Sequence, residues 1–286
     1  MHGTSTPGAA PEPPYRDPLP LRGRAALVTG ASRRAGIGYA VARRLAAYGA
    51  HVYLHHHTPH DSARPWGADP DGPEALARDV RALAAEGAVI AHGPGDLSHP
   101  DTPARLVTEA TEALGAERLD VLVANHALSG GDGPLVGEGA VDAGMLDAHW
   151  ATDARSAVLL AQALARQPRP AGAPHGSLLF MTSGQDVRGG MPEEIAYGLA
   201  KGALASSVRT LATALGPLRI TVNAVNPGPV DTGYLEGAQH AAVAAMFPGG
   251  RWADPDTPAR LLCWLATDEA SWITGEVINS EGGFAR

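Results

Sequence analysis

After residue 23, short apolar runs alternate with stretches of helical periodicity, and this alternation restricts the possible folds more than any other feature. Several apolar runs are continuous, which is typical of strands buried on both faces of a sheet. Strand–helix alternation predicts a mainly parallel sheet with helices on both of its faces. The predicted strands are 24–29, 51–55, 88–92, 119–124, 177–182, 219–225 and 276–279. The predicted helices are 37–48, 73–86, 101–115, 142–166, 193–215 and 257–267.

The predicted architecture is therefore an α/β fold with one doubly wound, mainly parallel sheet of about seven strands, the Rossmann arrangement. No internal repeat or polar linker divides the sequence, so residues 22–286 are predicted to form a single domain. Residues 1–21 are rich in Pro, Gly and small polar residues and are predicted to form a flexible arm. Two irregular segments, 56–72 and 227–256, follow strand ends, and the second contains a short apolar helix at 235–247. Open α/β sheets bind ligands at these ends, so we expect both segments to shape a site.

Composition argues against several classes of protein. A net charge of −8 without a long basic run does not favour a nucleic-acid partner. The chain has no apolar run of about 18 residues and no secretory signal, so neither a membrane span nor export is expected. The single cysteine, Cys263, lies in an apolar run and is expected to be a buried thiol in a reducing cytoplasm. The neighbouring His55, His56 and His57 have no Cys or carboxylate partner at ligand spacing, and consecutive strand residues face opposite sides, so no metal site is predicted.

Residues 29–38, TGASRRAGIG, lie between the first predicted strand and the first predicted helix. A glycine loop at this position predicts a phosphate site at the helix N-terminus. The glycines Gly30, Gly36 and Gly38 do not fit the general G-x-G-x-x-G spacing of dinucleotide sites.

Tyr197 and Lys201 are spaced so that they share one face of a predicted helix. A neighbouring ammonium lowers the pKa of a phenol, and a phenol tuned in this way can exchange a proton with a substrate oxygen. Taken alone, this spacing fits an ordinary surface pair at least as well as a catalytic pair. Ser183, Asn125 and the run 226–232 follow three other predicted strands, however, and strand ends of a parallel sheet meet at one crevice.

Together and in this order, these motifs resemble the short-chain dehydrogenase/reductase family, in particular its 3-oxoacyl-carrier-protein-reductase-like members, over about residues 22–284. The resemblance implies that Tyr197 is the general acid in reduction and the base in oxidation, that Lys201 binds the nicotinamide ribose, and that Ser183 holds the substrate oxygen. It implies a cofactor site, and the residues assigned to that site are Gly30, Ser32, Arg33, Arg34, Gly36, Ile37, Gly38, His56, Asp96, Leu97, Asn125, Tyr197, Lys201, Pro227, Gly228, Val230 and Thr232.

The sequence departs from the family pattern in three places. The glycine loop is two residues longer, and the usual N-N-A-G is replaced by Ala-Asn-His-Ala at 124–127. The helix asparagine that completes the family's catalytic tetrad aligns with Asp153. An aspartate keeps an acceptor but loses the amide donor.

The second predicted strand ends without the acidic residue that NAD-selective members carry for the ribose 2′-hydroxyl. Arg33 and Arg34 in the glycine loop favour a 2′-phosphate, so NADP(H) is the predicted cofactor and NAD(H) the alternative. The expected function is hydride transfer between this cofactor and a small carbonyl compound or secondary alcohol of specialised metabolism, in a homodimer or homotetramer. Two alternatives stay open, reduction or oxidation of a C=N or C=C bond and a catalytically silent cofactor-binding regulator. Apolar side chains that could line a substrate pocket are Trp66, Met191, Tyr234, Leu235, Met246, Phe247 and Trp252.

Overall fold

The computed structural model describes residues 17–187 and 189–285, and most of the predicted N-terminal arm lies outside them. The strands are β1 Ala25–Val28, β2 His51–His56, β3 Ile90–Pro94, β4 Val121–Ala124, β5 Gly176–Met181, β6 Ile220–Asn226 and β7 Val277–Asn279. The α-helices are α1 Ile37–Ala47, α2 Thr58–Ser62, α3 Gly72–Arg81, α4 Thr102–Ala113, α5 Ala143–His149, α6 Ser156–Ala165, α7 Ile195–Leu215, α8 Gly237–Ala245 and α9 Asp256–Leu265.

The seven strands form one sheet in the order β3-β2-β1-β4-β5-β6-β7, and every neighbouring pair is parallel. The predicted doubly wound α/β fold is therefore confirmed. The chain winds outward in one direction from β1 and in the other from β4, so these neighbouring strands form the switch point at which such sheets bind ligands.

Consecutive strand residues pack into two separate cores, one on each face of the sheet. In β1, Ala26 and Val28 face a core shared with α1, α3 and α9, whereas Ala25 and Leu27 face a core shared with α4, α6 and α7. This alternation follows from the pleat of a strand, and the burial of both faces explains the continuous apolar runs. Cys263 is fully buried in the first core. Burial raises the pKa of its thiol, as expected for a structural cysteine.

The predicted helix at 142–166 is not continuous. Helix α5 leads into a π-helical segment, Trp150–Arg155, before α6 begins. Two smaller differences concern the loops: the connection at 56–72 contains the short helix α2, and the predicted helix 73–86 ends at Arg81. At the predicted boundary of the arm, Leu21 is fully buried and donates its N–H to the carbonyl of Tyr48, so packing extends to this residue. Within the described residues, no helix combines the length and apolarity needed to cross a membrane.

Candidate active site

The glycine loop packs tightly against the loop that follows β4. Gly30 has a φ of +69°, and a Cβ there would lie 2.8 Å from the Cα of His126. A Cβ on Gly38 would lie 2.5 Å from the carbonyl oxygen of Gly30. Asn125 fixes the loop by donating to the carbonyl oxygens of Thr29 at 3.0 Å and Gly30 at 3.1 Å. Only glycine fits at these two positions.

The N-terminus of α1 opens toward a site that suits a phosphate group. Gly36 is its N-cap residue and no side chain caps the helix. The first N–H groups of a helix need an acceptor, and they favour an anion. The loop and the helix end therefore fit the pyrophosphate of a dinucleotide.

A cleft of about 1470 Å³ runs along the carboxyl ends of the strands. It brings most of the predicted site residues together, and those that line it are Gly30, Ser32, Arg33, Ile37, Asp96, Leu97, Asn125, Ser183, Tyr197, Lys201, Pro227, Gly228, Val230 and Thr232. Gly36 and Gly38 act through the loop backbone without lining the cleft. Arg34, His56 and Asp153 also lie outside it.

Tyr197 and Lys201 lie one turn apart near the start of α7. The Nζ atom of Lys201 is 5.6 Å from the centre of the Tyr197 ring and donates to the carbonyl oxygen of Met181 at 2.9 Å. Lys201 is 1% exposed, and burial lowers the pKa of its ammonium. The Ser183 hydroxyl, just after the end of β5, makes a weak 3.4 Å bond to Met191 Sδ and also forms a hydrogen bond with Tyr197. Ser183 and Tyr197 therefore present their hydroxyl groups in the same cleft.

The pKa of Tyr197 is shifted in the direction opposite to the one that the Tyr-Lys spacing predicts. Burial raises the pKa of the phenol, and the carboxylates of Asp153 and Glu194 raise it further. A hydrogen bond with Ser183 acts the other way but does not outweigh burial. The phenol is therefore neutral over the physiological pH range and holds the proton that a general acid donates.

Asp132, in the loop after β4, holds the N-terminus of α7. Its carboxylate accepts the backbone N–H groups of Gly133 at 2.8 Å, Ala196 at 3.0 Å and Tyr197 at 2.7 Å. Burial alone would raise the pKa of this carboxyl group, but the N–H donors outweigh burial and lower it. The helix has no side-chain cap of its own at Glu194. Sequence reasoning missed Asp132, since its partners lie 64 and 65 residues further along the chain.

Asp153 lies beneath the cleft, in the π-helical segment. Its Oδ1 accepts the N–H of Leu128 at 2.7 Å, and its Oδ2 lies 3.0 Å from Nδ1 of His149. Both side chains are 0% exposed. Asp153 is therefore a buried support next to Tyr197, whose pKa it raises, and His149 is its partner.

His126 explains why the helix is interrupted at this point. Its Nε2 atom lies 3.1 Å from the carbonyl oxygen of Thr152 and 2.7 Å from Oγ of Ser156, and its Nδ1 lies 2.6 Å from the hydroxyl of Thr29. The Ser156 hydroxyl also donates to Thr152. A π-helical turn needs such partners for carbonyl groups that leave the regular ladder. Burial holds the pKa of His126 well below its usual value, so the ring is neutral.

The two loop arginines differ in their surroundings, which corrects the prediction for Arg34. Arg34 forms ion pairs with Asp69 at 2.5 Å, Asp71 at 3.0 Å and Asp79 at 2.8 Å, and these carboxylates occupy the guanidinium. Arg33 instead lines the cleft and donates to the carbonyl oxygen of Thr232 at 2.7 Å. Arg34 therefore ties down the 56–72 segment, and Arg33 is the arginine available in the cleft.

The predicted role of His56 is corrected for a different reason. His55 and His57 line the cleft, whereas His56 faces the other side of the strand and lies 3.2 Å from Nδ1 of His92. His55 is held by the carbonyl of Gly95 and the N–H of Gly30. Burial lowers the pKa of both His55 and His56 to about 4, so both rings are neutral. No cluster of three or more potential metal ligands was found within residues 17–187 and 189–285.

The 56–72 segment folds over the cleft end that the glycine loop forms. Asp61 of α2 is buried and accepts the hydroxyl of Ser32 at 2.5 Å, and its other oxygen lies 3.4 Å from the indole nitrogen of Trp66. Arg33 lies 5.6 Å over the Trp66 ring. The segment therefore places one carboxylate beside the predicted cofactor residues, which the sequence did not indicate.

A glycine loop, a serine, a tyrosine and a buried lysine in one cleft of a doubly wound sheet define an oxidoreductase of the dinucleotide-binding class. A family model described as enoyl-(acyl carrier protein) reductase matches residues 30–285. The chain belongs to the short-chain dehydrogenase/reductase family, which confirms the resemblance found in its motifs.

Three similar proteins cover nearly the whole chain. An uncharacterised oxidoreductase of Bacillus subtilis (strain 168), YjdA, is 36% identical over 261 residues, which are 91% of this chain and 96% of that protein. A short-chain dehydrogenase of Burkholderia cenocepacia, solved in complex with NADP, is 30% identical with a TM-score of 0.77, covering 92% of this chain and 98% of that one. The angucycline C-6 ketoreductase LanV, solved with bound NADP, is 30% identical with a TM-score of 0.76, covering 92% and 96%.

Proposed function

We propose that this protein reduces a carbonyl group on a hydrophobic small molecule to a secondary alcohol, with NADPH as the reductant. The observation that carries the proposal is the neutral phenol of Tyr197, which lies with Ser183 and Lys201 in the cleft that the glycine loop enters. A neutral phenol donates a proton to a carbonyl oxygen, and this is the acid step of a reduction. When bound, the reduced nicotinamide supplies the hydride.

Each side chain has one part in this mechanism. Tyr197 donates its hydroxyl proton to the substrate oxygen as the carbon is reduced. Ser183 donates a hydrogen bond to the same oxygen and orients it, in place of its weak 3.4 Å bond to Met191 Sδ. Lys201 is held by the Met181 carbonyl and places a positive charge beside the phenol, which stabilises the phenolate left after transfer. The glycine loop and α1 hold the pyrophosphate, and Asn125 keeps the loop in place.

Apolar side chains line part of the cleft. Of those proposed from the sequence, Met191 and Tyr234 line it together with Leu128, Trp150 and Phe284. Trp66 also lines it, but next to Arg33 and Asp61 at the cofactor end. Leu235, Met246, Phe247 and Trp252 do not. Trp252 instead packs edge-on against Tyr234, with ring centres 5.7 Å apart. A lining of this kind suits an aromatic or alicyclic ketone better than a short polar one.

The proposed preference for NADPH rests on Arg33. It is the loop arginine that faces the cleft, and no acidic residue ends β2. The NADP found in the Burkholderia cenocepacia enzyme and in LanV supports the same choice. The observation that favours the alternative, NADH, is the Asp61 carboxylate on Ser32. A higher kcat/KM with NADH than with NADPH would refute the preference.

The experiment that tests the function is a screen of aromatic and alicyclic ketones, with imines and conjugated alkenes included, in the presence of NADPH. Tyr197→Phe should lower kcat by at least about 10³-fold for a ketone while cofactor affinity changes little, because it removes the proton donor alone. Tyr234→Phe is the matched control, since it removes the other phenol of the cleft and should cost far less. Full turnover by Tyr197→Phe, or reduction of only C=N or C=C bonds, would contradict the proposal, and cofactor binding without any turnover would favour a regulator.

We also propose that the protein is a homo-oligomer. Large apolar side chains are exposed on α6 and α7, with Val158 at 41% and Leu199 at 61%. An exposed apolar patch on a globular protein commonly marks an interface. Light scattering should give a dimer or tetramer, and Leu199→Glu should shift it toward the monomer.

A further inference from the structure

The exchange of the family's asparagine for Asp153 is accompanied by a donor on the same helical stretch. His149 ends α5, and Asp153 follows four residues later in the π-helical segment. The Nδ1 atom of His149 lies 3.0 Å from Oδ2 of Asp153, and Oδ1 of Asp153 accepts the N–H of Leu128 at 2.7 Å. Both side chains are 0% exposed, so these bonds lie away from bulk solvent.

The number of donors explains why a carboxylate stands at position 153. Leu128 presents a backbone N–H to Oδ1, and the His149 ring presents a second N–H to Oδ2 when its Nδ1 carries the proton. Two acceptor oxygens satisfy both. An asparagine has one acceptor oxygen, so its amide N–H would meet one of the two donors head-on. In this chain, therefore, the histidine and the aspartate suit each other, whereas an asparagine would satisfy only one of the two donors.

The pair packs directly behind the reactive phenol. The His149 ring stands edge-on to the Tyr197 ring, at 81° and with ring centres 6.0 Å apart. The Nε2 atom of His149 is buried and has no hydrogen-bond partner within the described residues. A bare lone pair is tolerated there more easily than an unpaired N–H, so the Nδ1–H tautomer agrees with the bond to Asp153.

We propose that His149 and Asp153 act as one positioning unit for Tyr197. Within this unit the aspartate has no N–H of its own, and the His149 N–H donates to its carboxylate. This inference rests on the proposed acid role of Tyr197. Neither residue touches the substrate. The unit fixes the ring of Tyr197 from behind through the edge-on His149 ring, and its carboxylate adds negative charge beside the phenol.

Several charged or titratable groups face this unit from the surrounding elements. On and before α7 they are Tyr197, Lys201 and Glu194, in the loop after β4 Asp132, and in α2 His60. Lys201 and the Asp153 carboxylate attract each other across the site, since Asp153 acts to raise the pKa of Lys201. Removing the carboxylate therefore changes the charge around the phenol, whereas replacing the histidine by a neutral donor does not.

The test is a cycle of four proteins: wild type, Asp153→Asn, His149→Asn and the double variant. His149→Asn keeps an N–H close to the position of Nδ1, so kcat should stay within about threefold of wild type. Asp153→Asn alone leaves one of the two donors facing an amide N–H and should lower kcat about tenfold. In the double variant, the two introduced amides pair with each other while the amide oxygen at position 153 still accepts from Leu128, so the same Asp153→Asn change should cost only about twofold.

Two further measurements separate positioning from a merely structural effect. In both proteins that carry Asp153→Asn, the alkaline limb of the kcat–pH profile should move to a lower pH than in wild type. In His149→Asn it should not move. His175→Asn is the matched control, because His175 makes the same kind of Nδ1 bond, to Asp268 at 2.6 Å, next to the start of β5. It should leave both kcat and the pH profile unchanged.

The inference is overturned if Asp153→Asn alone is as active as wild type. It is also overturned if Asp153→Asn lowers kcat by the same factor in the wild type and in His149→Asn. Equilibrium unfolding of the same four proteins reports the pairing without any turnover. If the two substitutions have non-additive effects on the free energy of unfolding but the wild type reduces no substrate, the proposed function is rejected and the proposed pair is retained. If the effects on the free energy of unfolding are additive and the wild type is active, the proposed pair is rejected and the proposed function is retained.

Discussion

Replacing Asp132 by alanine should weaken the catalytic helix at the end that bears Tyr197. Its carboxylate accepts three backbone N–H groups, two of them in the first turn of α7. Loss of an N-cap costs about 0.5–2 kcal/mol, and loss of a charge at the helix N-terminus costs about 0.3–1 kcal/mol. The expected decrease in the free energy of unfolding is therefore about 1–3 kcal/mol, or several degrees in Tm.

The same change should lower kcat more than it raises KM. Tyr197 is the third residue of α7, and its own N–H is bonded to Asp132, so a frayed first turn displaces the phenol. A drop in kcat of about tenfold is expected. Asp254→Ala is the control, because Asp254 caps the start of α9, on the opposite face of the sheet, through the N–H of Thr257 at 2.8 Å. It should lower stability without this drop.

The contribution of Asp132 to stability has a defined pH dependence. The pKa of this carboxyl group is lower in the folded protein than in the unfolded chain, since the N–H donors outweigh burial. Its contribution is therefore complete above the unfolded pKa of about 3.9 and is lost as the pH falls toward the folded value. Asp132→Ala should destabilise the protein at pH 7 and make little difference near pH 2 in urea unfolding. Equal destabilisation at both pH values, or a variant with wild-type kcat, would refute the capping argument.

Four further changes address the cofactor end of the cleft. Arg33→Gln should lower kcat/KM for NADPH about tenfold with little effect on kcat/KM for NADH. Asp61→Asn should instead raise the ratio of kcat/KM for NADPH to that for NADH. Both are measured by steady-state kinetics. Arg34→Gln should leave this ratio unchanged and lower Tm by an amount that shrinks with added salt, since its partners are the carboxylates of the 56–72 segment and α3. Gly38→Ala should abolish cofactor binding in a fluorescence titration, because its Cβ would meet the Gly30 carbonyl at 2.5 Å, whereas Gly216→Ala meets no atom within 4 Å and should bind normally.

The sheet and its cleft could be predicted because both depend on local patterns. Continuous apolar runs indicate strands buried on both faces, and each of the seven predicted runs overlaps a strand of the sheet. In a parallel sheet the carboxyl ends of the strands meet, so motifs placed after strands converge without any knowledge of loop geometry. Ser183, Tyr197 and Asn125 lie in one cleft for this reason.

Interactions between distant residues could not be predicted in this way. The 142–166 stretch has one helical periodicity, and its π-helical interruption depends on His126, which comes from the end of β4. The partners of Arg34 lie 35 to 45 residues away, on and beyond the irregular 56–72 segment. His56 is different, because the two-residue period of a strand already placed it opposite His55 and His57. That signal was in the sequence and could have excluded His56 from the site.

The supports of Tyr197 come largely from one stretch of chain, residues 126–153. His126 holds the π-helical segment, Asp132 holds the start of α7, and His149 with Asp153 lies behind the ring. Of these residues, only Asp153 was found from a sequence motif, because each acts on the tyrosine through a tertiary contact and not along a helix face with it. The direction of the Tyr197 pKa shift has the same origin. Burial of the phenol raises its pKa, whereas the Tyr-Lys spacing predicted a lowered pKa. The reacting groups of such a site are therefore readable from spacing, whereas the protonation state in which they work is set by the segment packed against them.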